Sequence, residues 1–177
     1  MWKKYIIDIC ILIVMFFLLM FDKYILKIEI FGINISLYYI IILFLGIYLD
    51  TVNGLIIISI LALIQDITIG ANFGNIIIST VWSFLILKKI NKILYEEKLL
   101  NVIIKNIVLY FSYMLIYIMV RYIIYNNKIN YVDIFNIMLK EILIMTLIVI
   151  VIYPIFKEIG TYIGKRYKKR NIITKYF

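Results

Sequence analysis

The side chains best suited to acid–base work are three aspartates, Asp8, Asp50 and Asp66. Two carboxylates sharing a proton would make an aspartyl hydrolase, and that chemistry needs their oxygens within bonding distance. Asp50 and Asp66 are sixteen residues apart. On one helix that is about 24 Å at 1.5 Å per residue, so the two mark opposite faces of a membrane and form no dyad. Asp8 and Asp50 fall near one face, where a packed polar contact between the first and third helices is open to them. Ser59, Ser79, Ser83 and Ser112 lack a histidine to activate them, because the chain contains none. The one cysteine, Cys10, makes neither a thiolate cluster nor an internal disulfide. No catalytic set, metal site or cofactor is expected.

A near-repeat is more informative. Residues 45–54 read Leu-Gly-Ile-Tyr-Leu-Asp-Thr-Val-Asn-Gly, and residues 61–70 read Leu-Ala-Leu-Ile-Gln-Asp-Ile-Thr-Ile-Gly. Each ends in Asp-x-x-x-Gly after an apolar stretch: Asp50 with Gly54, and Asp66 with Gly70. A carboxylate at a bilayer boundary followed by glycine predicts a helix stop, a turn with positive φ and a new helix start. The second copy continues through Ala71, Asn72, Phe73, Gly74 and Asn75. There small residues permit a tight turn, and Asn or Asp can cap the following helix. Valine at Gly70 or Gly74 is therefore expected to damage folding more than Asp66→Asn. Both turns read as structural, and a binding or partner-docking role added to them stays open.

Arg121 and Glu141 fall about one turn inside a membrane boundary on the last two apolar segments. An intramembrane ion pair would lower the cost of burying either. Tyr113, Tyr117 and Arg121 recur every four residues, so they share a helix face and can stack. The basic residues Lys165, Arg166, Lys168, Lys169, Arg170 and Lys175 read first as an orientation signal that touches anionic lipid. Docking of a cytoplasmic protein there stays open.

The elements that must hold these residues follow from composition. Of 177 residues, 66% are apolar, 16% aromatic and 16% charged, and the mean hydropathy is +1.06. Soluble domains run about 45–50% apolar and about 25% charged, so this is an all-α integral membrane protein. Isoleucine, lysine, asparagine and tyrosine abound while alanine occurs only at Ala62 and Ala71. That is a pattern AT-rich coding produces, so isoleucine runs and scattered tyrosines carry little functional weight. Apolar runs predict six spans at about 5–21, 33–49, 51–69, 74–87, 103–124 and 137–156, then a basic tail over 157–177, all in one membrane domain. The first run is as long as a short span and has no small-residue cleavage site, so it reads as a retained helix.

Charge supports that number independently. With both ends inside, fourteen of the nineteen basic residues are cytoplasmic, and only Lys23, Lys27, Arg121, Lys128 and Lys140 lie outside. That is the positive-inside bias, and two basic ends require an even number of spans. The net charge of +9 thus reads as membrane topology, with no nucleic-acid groove beside it.

The stretch from Val52 to Gly74 resembles the central signature of the bacterial rod shape-determining MreD family: an apolar helix ending in Asp66, a short turn, and Gly70 and Gly74 four apart. Tyr153, Pro154 and Ile155 in the last helix, then the basic tail, also fit. Gln65 departs from the pattern, in which an apolar residue precedes the aspartate. The resemblance implies a non-enzymatic component of the cell-elongation machinery in the bacterial cytoplasmic membrane. Its partners would be an MreC-like protein and, through it, MreB, RodA and a penicillin-binding transpeptidase that builds side-wall peptidoglycan. It also implies a fold similar to the substrate-capturing S-component of energy-coupling-factor vitamin transporters, which is the alternative function. Those subunits dock through small residues along the first helix, whereas residues 8–21 here contain neither Ala nor Gly.

Overall fold

The computed structural model describes the backbone of residues 2–21, 29–30, 33–34, 36–69, 74–94, 98–125 and 131–173, with side chains over 9–20, 36–68, 74–94, 98–124 and 135–160. Gly70, Asn72 and the side chains of Asp8 and of the tail beyond Gly160 lie outside them. Six helices make up nearly all of the described chain: α1 (Trp2–Phe21), α2 (Tyr38–Tyr48), α3 (Thr51–Ile69), α4 (Asn75–Ile93), α5 (Leu99–Tyr125) and α6 (Tyr131–Ile173). Between α1 and α2, two short strands, β1 (Glu29–Ile30) and β2 (Ile33–Asn34), pair antiparallel, with Glu29 opposite Asn34.

Three helices are long and apolar enough to cross a membrane, over Thr51–Thr68, Leu99–Ile124 and Phe135–Gly160. Ile9–Met20 and Tyr38–Tyr48 are shorter apolar helices. The span expected at 33–49 is not one helix. Residues 33–34 belong to β2, and the helix runs only over the 11 residues of α2. At 1.5 Å per residue α2 is about 16 Å long, half the hydrocarbon thickness. Its sequence is apolar on all sides, which suits a helix enclosed by protein rather than one with a lipid face. Tyr38 and every residue from Ile40 to Gly46 are buried.

The core is built around this short helix. α2 packs on α3, α4, α5 and α6, and α4 and α5 share the most extensive helix–helix contact. α1 packs on α3. Ile41, Leu43, Leu45, Ile58, Leu61, Phe84, Leu87, Leu109, Met145 and Val149 fill the centre. The outward faces of α1, α5 and α6 are apolar: Val14 and Phe17, then Phe111 and Met119, then Leu143, Leu147 and Val151 are exposed. Water does not accept such a surface at this size, whereas lipid does.

Candidate functional site

The aspartate of the second Asp-x-x-x-Gly copy is buried and accepts three backbone hydrogen bonds. Asp66 sits on the last turn of α3, and it is 3% exposed. It reaches across the turn to the first residues of α4. Its Oδ2 accepts from the backbone N–H of Gly74 at 2.9 Å and of Ile77 at 3.2 Å, and its Oδ1 accepts from Ile76 N–H at 3.2 Å. A helix start leaves four N–H groups without partners inside the helix, and it carries a partial positive charge. One carboxylate from the preceding helix answers both. Gly74 holds the N-cap position with φ 94°, a left-handed conformation open to glycine at little cost. A positive φ at Gly74 and a new helix start at Asn75 therefore follow the second copy, while its own glycine, Gly70, lies outside the described residues. Asn75 follows as the first residue of α4 and does not supply the cap; its side chain is buried beside Ser79, whose hydroxyl donates to the Asn75 carbonyl at 2.7 Å.

The first copy does something else. Asp50 is exposed and lies just ahead of α3, and its carbonyl accepts from Gly54 N–H at 2.8 Å as the helix begins. Gly54 is helical and occupies no turn. A Cβ there would come within 2.6 Å of the Phe84 ring, so this glycine lets α3 and α4 approach closely. In the first copy the spacing thus serves a helix crossing and not the turn expected there.

At the far end of α4 the roles reverse. The orphan carbonyls closing α2 are met by α4 side chains: Lys88 Nζ donates to Leu49 O, and Asn91 Nδ2 donates to Ile47 O at 3.3 Å. Lys88 lies just past the apolar run of α4, is 9% exposed, and sits 5.4 Å from the Phe84 ring centroid. Burial pulls its ammonium down to about 8, against the raising effect of Asp50. Lys105 on α5 is also buried and contributes to that lowering. Charge counting placed both lysines on the inner face as simple topology signals. The structure makes Lys88 a cap. Its position one residue past the apolar run was the available signal, but the partner 39 residues away in sequence was not visible.

Between these two ends lies an aromatic layer. Tyr38 Oη and Thr80 Oγ1 are 2.8 Å apart. The Tyr39 ring meets Tyr110 and Tyr113 edge-on, both at 4.9 Å, and Tyr113 stacks on Tyr117 at 6.0 Å with 18° between planes. The stack expected along α5 is present for the two tyrosines. Composition led the tyrosines to be discounted; the spacing of Tyr110, Tyr113 and Tyr117 was the signal for a buried face. Asn75 Nδ2 and Tyr110 Oη are buried without a hydrogen-bond partner among the described residues.

Arg121 and Glu141 are both partly buried, and no ion pair between them is present among the described residues; Arg121 Nε is buried without an acceptor. Pro154 lies inside α6, on an exposed face. Among the described residues no three Cys, Asp or Glu side chains come together in a metal-holding group. No family model, no curated protein and no solved structure matches this chain.

Proposed function

We propose that this protein is a non-catalytic membrane scaffold of the MreD kind, acting in bacterial cell elongation and side-wall peptidoglycan synthesis. In this reading it crosses the cytoplasmic membrane six times, with both ends inside, and works by holding an MreC-like partner and, through it, MreB, RodA and a transpeptidase. The observation that carries the reading is the Asp66 clamp. The carboxylate best placed for chemistry has both oxygens occupied by backbone N–H donors, so its work is to fix the α3–α4 turn. The residues of that turn are also those that carry the resemblance to the family, Asp66 and Gly74 above all. Among the described residues the remaining charged side chains supply no acid–base–nucleophile constellation, and a broad apolar exterior is left for lipid and partner helices. Depletion in a rod-shaped host tests it: cells are expected to round before growth stops, and tagged protein to co-purify with an MreC-like protein. Cells that keep their shape and lose uptake of a vitamin would overturn it in favour of the transporter subunit.

A further inference from the structure

α6 is 43 residues long and continuous from Tyr131 to Ile173. At 1.5 Å per residue it measures about 64 Å, twice the hydrocarbon core of a bilayer. Its apolar part, Phe135–Gly160, is 26 residues. That part is about 39 Å long and already accounts for the core and most of both headgroup layers. With its centre at the bilayer midplane, Lys165 lies about 26 Å and Arg170 about 34 Å from the midplane along the helix. The headgroup layer ends about 20–22 Å from the midplane. Bringing Arg170 back to that depth needs a tilt of about 54°, beyond the usual range of about 0–40°.

Pro154 does not redirect the helix before it leaves the bundle. Phe156, past the proline, packs its ring on Phe44 of α2 at 4.9 Å, and Gly160 lies directly against the Tyr48 ring. The helix thus holds to α2 up to the end of its apolar part. Beyond it, Lys165 and Lys169, and Arg166 and Arg170, are like charges four residues apart, an arrangement that opposes helix formation in isolation. Glu158 is the one acidic side chain in 157–177. A helix of this charge that stands clear of the phosphates has only solvent counterions opposite it, and its field attracts an acidic surface.

We propose that residues 161–173 of α6 are a docking helix for an acidic surface on a cytoplasmic protein, standing beyond the lipid headgroups. It rests on the inward orientation of the C-terminus proposed above, which a fusion at Tyr176 tests separately; the reconstituted experiment does not depend on orientation in the cell. Full-length protein carrying Cys10→Ser and Lys169→Cys is spin-labelled in nanodiscs rich in phosphatidylglycerol, and a fluorescent oligoglutamate peptide is titrated against unlabelled protein. The label is expected to collide freely with a water-soluble nickel reagent. The peptide is expected to bind equally in zwitterionic and phosphatidylglycerol discs, and to lose affinity about tenfold or more when Lys165, Arg166, Lys168, Lys169 and Arg170 become Glu. Lys140→Glu, on the opposite side of the membrane, is expected to leave peptide binding unchanged. A label shielded at phosphate depth, or a peptide displaced by phosphatidylglycerol, would make the segment a lipid anchor and overturn the proposal. Binding that survives charge reversal in a variant that still elutes as folded protein would overturn it as well.

Discussion

Asp66 meets three donors with two oxygens, and an asparagine in its place has one. Its amide group would turn N–H toward backbone N–H, leaving at least one buried donor without an acceptor at about 1–3 kcal/mol. A side chain at Gly74 would be strained only through its backbone: at φ 94° an added Cβ meets nothing within 4 Å. Asparagine tolerates that region, so Gly74→Asn is expected to cost less than about 1–2 kcal/mol, with a β-branched residue at the upper end or beyond. The three bonds therefore raise the expected cost of Asp66→Asn to at least that of Gly74→Asn. Thermal melts in detergent should rank Asp66→Asn below Gly74→Asn. An Asp66→Asn protein that melts with the parent but no longer supports cell shape would give the carboxylate a direct role in partner binding. At Gly54 space decides instead. Gly54→Ala pushes into Phe84, itself fully enclosed, and should destabilise by about 1–3 kcal/mol although alanine is the better helix former.

Among the elements, α2 behaves as interior and α6 as exterior, and paired substitutions separate them. Leu43 is 0% exposed and Leu143 is 66% exposed. Leu43→Ala removes a packed side chain from the centre and should cost about 2–5 kcal/mol. Leu143→Ala exchanges lipid or detergent contact for a little more of the same and should leave the melting temperature nearly unchanged. Equal losses would mean that α6 is covered by protein on that face. The contrast also shows what could be read in advance. Asp66, Gly74 and the helix after them lie within eleven residues, so local rules for stops, turns and caps were enough to place that turn. α2 and the apolar run of α6 look alike as strings of Ile, Leu, Phe and Tyr; what distinguishes them is enclosure by four other helices, which no local window contains. Lys88 and Leu49, 39 residues apart, are a pairing of the same long-range kind. Arg121 and Glu141 could be placed at similar depth by counting residues, but depth does not set the rotation of two helices about their axes.

For the molecule as a whole, the decisive variable is how the chain threads the membrane. Thr51–Thr68, Leu99–Ile124 and Phe135–Gly160 are long enough to cross by themselves. α2 is too short to do so bare, and its backbone ends are met by protein: Lys88 and Asn91 close its carbonyl end, as Asp66 closes the amino end of α4. Inside a bilayer every backbone polar group needs a partner, and caps supplied by neighbouring helices allow a short, enclosed helix to lie at membrane depth. Those caps sit at opposite ends of α4, with Asp66 at the Asn75 end and Lys88 thirteen residues on. That is about 20 Å apart, so α4 carries its anionic contact toward one face and its cationic contact toward the other. The lysine end coincides with the basic segment of Lys88, Lys89, Lys92, Lys98 and Lys105, which faces the cytoplasm in the proposed orientation. Alkaline phosphatase fused after Phe31, Asn72 or Asn127 should then be active, and fused after Lys92 or Tyr176 inactive. An active fusion at Tyr176 would end the six-span arrangement, and an inactive fusion at Asn72 would put the Asp66 turn on the cytoplasmic side, where an extracytoplasmic partner could not reach it.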